Sequence, residues 1–72
     1  MISYAPFYKT LKEKGISTYK LINEHNISRS LLDRLKHNKP STTVTINDLC
    51  KILNCRIEDI LEYISEKEQG RL

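Results

Sequence analysis

One local pattern recurs along the chain and limits what it can become. An apolar residue stands directly before Ser or Thr, and a second apolar residue follows the first by five positions. It occurs as Ile2-Ser3…Phe7, Ile16-Ser17…Leu21, Ile27-Ser28…Leu32 and Val44-Thr45…Leu49. That spacing separates the two arms of a hydrophobic staple, and the hydroxyl between them caps a helix by accepting a first-turn N–H. Four helix starts therefore carry one physical signature. A fifth, Cys55-Arg56…Ile60, keeps the staple spacing without a good capping residue.

Helix stops lie where those starts require them. Gly15 adopts the left-handed conformation freely, and Asn26, Asn38 and Asn54 can do so at some expense. Pro6 falls in a first turn, where its missing N–H does no harm, and Pro40 blocks continuation of the third helix. The pattern predicts five short helices, near 4–14, 18–25, 29–37, 46–53 and 57–66, each with apolar residues at helical spacing. Asp48, three residues after Thr45, is expected to complete a capping box at the fourth start. The fold class expected is all-α.

With 72 residues there is room for one core and little else. A domain over 1–66 with a polar tail over 67–72 is expected. An enclosed substrate pocket is not, so an enzyme is disfavoured. The longest uncharged stretch is rich in Ser and Thr, giving no membrane span or signal peptide and a cytoplasmic expectation. Cys50 and Cys55 fit neither zinc-ligand nor redox-pair spacing, and His25 and His37 add no ligand pattern, so the thiols are expected to be buried and no metal is expected. No cofactor or small-molecule ligand is evident either. The acidic residues Asp48, Glu58, Asp59, Glu62, Glu66 and Glu68 lack a partner nucleophile and read as solvated helix surface.

Charge is distributed unevenly. Residues 1–40 carry eight Lys/Arg against three acids, a balance of +5, whereas 41–72 carry four against six, a balance of −2. A basic half suits a polyanion. Only His25-Asn26-Ile27-Ser28 joins helices two and three, a turn short enough to set them at a steep angle, as in a helix-turn-helix. At about 100° per residue, Leu31, Leu32 and Leu35 of helix three point inward. Ser30, Asp33 and His37 point outward, flanked by Arg29 and Arg34. Arg pairs with guanine, Asp accepts from cytosine, and Ser bonds to several base edges.

The segment Ser17 to Pro40, STYKLINEHNISRSLLDRLKHNKP, resembles the helix-turn-helix of Cro/C1-type phage repressors, the XRE family. MISYAPFYKTLKEKGIS before it and LCKILNCRIEDILEYI after it extend the likeness to a compact single-domain subfamily of bacterial regulators. The resemblance implies a five-helix lambda-repressor-like domain that binds double-stranded DNA, with recognition helix 29–37 in the major groove. It implies base-edge roles for Ser28, Arg29, Ser30, Asp33 and Arg34, and phosphate roles for Ser17, Thr18, Lys36, His37 and Lys39. The chain departs from the family pattern at Ile22, where a small residue is common, and at Asn26 and Asn38, where Gly is usual.

A lone recognition helix reads about three to five base pairs, and two-fold dimers reach two half-sites about 34 Å apart. A homodimer is therefore expected, through the apolar stripe Ile57, Ile60 and Ile64 with Tyr63. The competing expectation is a protein-interaction module, antitoxin-like or antirepressor-like, that docks through the acidic half.

Overall fold

In the computed structural model, which describes residues 1–65, the helices are α1 (Ala5–Lys14), α2 (Thr18–His25), α3 (Arg29–Lys36) and α4 (Thr43–Leu53). A 3₁₀ turn follows at Ile57–Asp59, and two short strands, β1 (Ile2–Ser3) and β2 (Glu62–Tyr63), pair antiparallel with Ile2 opposite Tyr63. The described part is thus mostly helical, with four α-helices rather than five. Residues 66–72, which include the end expected for the fifth helix and the polar tail, lie outside the described residues.

Two of the four hydroxyl caps act as expected. Ser17 Oγ accepts the Lys20 N–H at 3.1 Å, and Ser28 Oγ accepts the Leu31 N–H at 3.0 Å. At the first site Ser3 instead joins β1, its Oγ takes the Ala5 N–H at 3.2 Å, and Tyr4 occupies the cap position. The fourth helix begins earlier than the staple implied. Thr42 is its cap, accepting the Thr45 N–H at 3.2 Å, so Val44 lies in the first turn at 68 % exposure and staples nothing. Asp48 accordingly sits inside α4, away from any capping box. All four expected stops adopt positive φ: Gly15 at 66°, Asn26 at 57°, Asn38 at 54° and Asn54 at 51°.

The fifth helix fails for a tertiary reason. A helix through Ile60 would give its carbonyl to the Ile64 N–H. That carbonyl instead accepts the Phe7 N–H at 3.2 Å, and the Ile64 N–H donates to the Met1 carbonyl at 2.8 Å. One residue earlier, the Asp59 carbonyl takes the Thr10 hydroxyl at 2.7 Å. The backbone groups that would propagate a helix are bonded to α1 and to Met1 just before β1, leaving one 3₁₀ turn and a strand.

This arrangement breaks up the stripe expected to dimerise. Ile60 is fully buried with Phe7, Leu21, Leu35 and Leu49 at the centre of the core, and Ile64 is half-buried. Ile57 and Tyr63 remain exposed, at 56 % and 66 %. Cys50 and Cys55, expected buried, are free and half-buried. Among the described residues no helix is long and apolar enough to cross a membrane.

Candidate nucleic-acid interface

The short His25-to-Ser28 connection works because Asn26 takes the left-handed conformation and its N–H returns to the Leu21 carbonyl. Ile27 follows, buried, and its N–H also reaches Leu21 O at 3.1 Å. Ser28 then caps α3. Ile22, the bulky departure from the family pattern, is accommodated half-buried against the core.

Once α3 is anchored by buried Leu32 and Leu35, with half-buried Leu31 beside them, its other side has nowhere to go but solvent. Ser17, Thr18, Ser28, Arg29, Ser30, Asp33, Arg34, Lys36, His37 and Lys39 are all exposed. Between α1, the start of α2 and α3 lies an open hollow of about 630 Å³. Thr18, Arg29, Asp33 and Lys36 line it, together with Tyr8 and Asn38. Thr18 from α2 is therefore brought beside the Arg29–Asp33–Lys36 stripe of α3, whose members are four and three residues apart. Ser30 and Arg34 belong to the neighbouring stripe and do not line the hollow.

Besides the two capping serines, three of these side chains have partners. Arg34 donates from its guanidinium to the Pro40 carbonyl, which ties it to the chain leaving α3. Asp33 Oδ1 lies 3.4 Å from His37 Nδ1, and the same ring nitrogen is 2.9 Å from the Asp33 carbonyl. The carboxylate is thereby partly occupied by its own helix. Lys39 sits where the chain turns away, its N–H bonded to the Arg34 carbonyl at 2.9 Å.

Both helix N-termini at this surface lack acidic residues in the first turn. With Ser17 and Ser28 satisfying one N–H each, the remaining first-turn N–H groups and the positive helix end suit an anion. Over residues 17–40, Lys20, Arg29, Arg34, Lys36 and Lys39 face only Glu24 and Asp33, a local balance of 5 − 2 = +3. The surface is cationic, hydroxyl-bearing and exposed along α3, so it can meet a polyanion and present hydrogen-bonding groups to it.

Two supporting residues escaped sequence reasoning. The Tyr8 hydroxyl donates to the Leu32 carbonyl at 3.1 Å and pins α1 to α3. Burial, and then the Asp33 charge, push the Tyr8 pKa above its usual 10.0, which keeps the hydroxyl protonated as a donor. Asn38 Oδ1 accepts the Tyr4 N–H at 2.9 Å, joining the end of α3 to the start of α1. No local pattern announces either bond, because the partners are 24 and 34 residues away.

A family model for the Cro/C1-type HTH DNA-binding domain matches residues 8–66. Among solved structures, the chain is similar to that of "transcriptional regulator VanUg, Form II", at 25 % sequence identity and a TM-score of 0.78. The match covers 88 % of this chain and 84 % of that one. No curated protein sequence matches. Capped α2, the turn through Asn26, exposed α3 and the span of the family match agree, and the chain belongs to the Cro/C1-type helix-turn-helix DNA-binding domain family.

Proposed function

We propose that this protein is a sequence-specific double-stranded DNA-binding regulator, acting as a repressor, with α3 seated in the major groove. One observation carries the reading: the whole outward arc of α3 is exposed beside two serine-capped, acid-free helix N-termini. The likeness to a protein described as a transcriptional regulator supports it. Ser28, Arg29, Ser30, Asp33 and Arg34 contact base edges. The guanidinium of Arg34 has five donors, so its tie to Pro40 leaves others for a base. Ser17, Thr18, Lys36, His37 and Lys39 hold phosphates. The Ser17 and Ser28 hydroxyls, whose oxygens already accept an N–H, retain their own protons for donation.

An eight-residue recognition helix is too short to specify a genomic site alone. The protein binds as a homodimer on two half-sites about 34 Å apart. Ile57 and Tyr63 are available for the contact, whereas Ile60 is committed to the core.

Selection from a random duplex pool tests the proposal. It should return a discrete site with inverted repeats, bound less tightly as salt rises. Arg34→Ala should weaken that site by about 1–3 kcal/mol and relax one base position, whereas Lys39→Ala should weaken all sequences alike. Identical behaviour of the two variants refutes the base-contact assignment. Recovery of no site, with no binding at low salt, refutes DNA recognition and favours the protein-interaction module.

A further inference from the structure

Cys50 and Cys55 play no part in the interface. Cys50 lies in the last turn of α4, and Cys55 is the second residue beyond the helix, after left-handed Asn54. The Cys55 N–H donates to the Cys50 carbonyl at 3.0 Å, and the Asn54 N–H to the Lys51 carbonyl at 3.4 Å. This is the paired hydrogen bonding of a Schellman ending, which brings the side chains of its two outer residues together. In most proteins those are apolar residues in contact; here both are thiols.

Burial raises the Cys55 pKa first, then the Cys50 charge, the Asp59 charge and donation of the Cys55 thiol proton toward the Cys50 sulfur, with Lys14 opposing. The backbone pairing places both thiols at the outer positions of one helix ending, and both are half-buried. Standard bond lengths and a trigonal carbonyl carbon, which sets Cα about 2.4 Å from its carbonyl oxygen, joined to that 3.0 Å hydrogen bond hold the two Cα atoms within about 6.9 Å. A disulfide cannot close without backbone movement beyond about 7 Å, so this pair lies inside the limit.

We propose that Cys50 and Cys55 form a reversible thiol–disulfide site oxidised by low-molecular-weight disulfides. One cysteine thiolate attacks a sulfur of RSSR, forming a mixed disulfide and expelling RS⁻. The second cysteine loses its proton, attacks the protein sulfur of the mixed disulfide and expels another RS⁻, so two thiols and RSSR become one protein disulfide and two RSH. The bridge spans Asn54 and locks the end of α4 to the segment entering the 3₁₀ turn. Cys50 also lines an apolar groove of about 440 Å³ with Ile2, Ile46, Ile57 and Leu61, so oxidation reshapes a surface to which α2 and α3 contribute nothing.

The test equilibrates the full chain in glutathione buffers of graded oxidised-to-reduced ratio, quenches with N-ethylmaleimide and weighs the intact protein. Reducing buffers should give two maleimide adducts. Oxidising buffers should give none, a monomer lighter by two hydrogens, and full reversal by dithiothreitol. Trypsin cuts after Lys51, so the oxidised protein should yield two peptides joined through Cys50 and Cys55. Cys55→Ser should stop at a stable glutathione adduct on Cys50. Two free thiols throughout, a persistent glutathione adduct on the unaltered chain, or a disulfide between chains overturns the proposal, as does the absence of an adduct from both the Cys50→Ser and the Cys55→Ser proteins.

Discussion

Asn38 stands where related domains usually close the recognition helix with Gly, and its side chain does something a glycine cannot. Its Oδ1 accepts the N–H of Tyr4, a residue only 4 % exposed. Removing the acceptor strands a largely buried donor, a loss of about 1–3 kcal/mol. Asn38 also holds φ at 54°, where a residue with a Cβ and no local hydrogen bonding pays about 1–2 kcal/mol. Asn38→Ala incurs both effects and should destabilise by about 2–4 kcal/mol, a large part of the ~4–11 kcal/mol expected for a domain of this size. Asn38→Gly loses the hydrogen bond but relieves the backbone, for a net loss of about 1–2 kcal/mol. Asn38→Asp keeps an acceptor and should stay within about 1 kcal/mol of the parent. Thermal unfolding followed by helical circular dichroism resolves these differences, since each kcal/mol moves Tm by about 4–8 °C. The expected order of Tm is parent and Asp highest, Gly intermediate, Ala lowest. A glycine variant more stable than the parent would show that the Tyr4 bond contributes less than the backbone relief and refute the magnitude assigned to it. Equal losses for Gly and Ala would show that the left-handed backbone imposes no penalty.

Two further outcomes follow from the packing around α1. Tyr8 has a folded pKa above its unfolded value, so its contribution is complete below about pH 10 and declines as pH rises through the folded pKa; Tyr8→Phe should flatten the alkaline loss of stability measured by denaturant titration across that range. Ile60→Ala should destabilise by about 2–5 kcal/mol because the side chain is fully buried, whereas Tyr63→Ala, exposed, should change monomer stability by less than about 0.5 kcal/mol and lower self-association instead. Similar unfolding midpoints for these two variants would mean that Ile60 is not part of the core.

The local structure of the helix-turn-helix half of the molecule was legible in its residues. Ser17 and Ser28 cap their helices, Asn26 makes the turn, and all ten nominated contact residues are exposed. Each depends on interactions within a turn or on the periodic burial of α3, and both are written in adjacent residues. What stayed hidden was how side chains there are partnered. Arg34 reaches the Pro40 carbonyl and Tyr8 reaches the Leu32 carbonyl because of backbone placement that spacing does not encode. Cys50 and Cys55 look unrelated at a separation of five, until the left-handed turn at Asn54 brings them together.

Sequence by itself determined four helix stops, two working caps, the apolar face of α3 and the cationic character of residues 17–40, since each is a property of neighbours along the chain. Tertiary structure decided the rest at both ends. Ser3 had a capping pattern and became a strand; residues 57–64 had helical periodicity and became a 3₁₀ turn and a strand. Helical periodicity states only which residues want burial. Where the Ile60 carbonyl and the Ile64 N–H find their partners depends on what is packed beside them, and here Phe7 and Met1 outcompeted the helix.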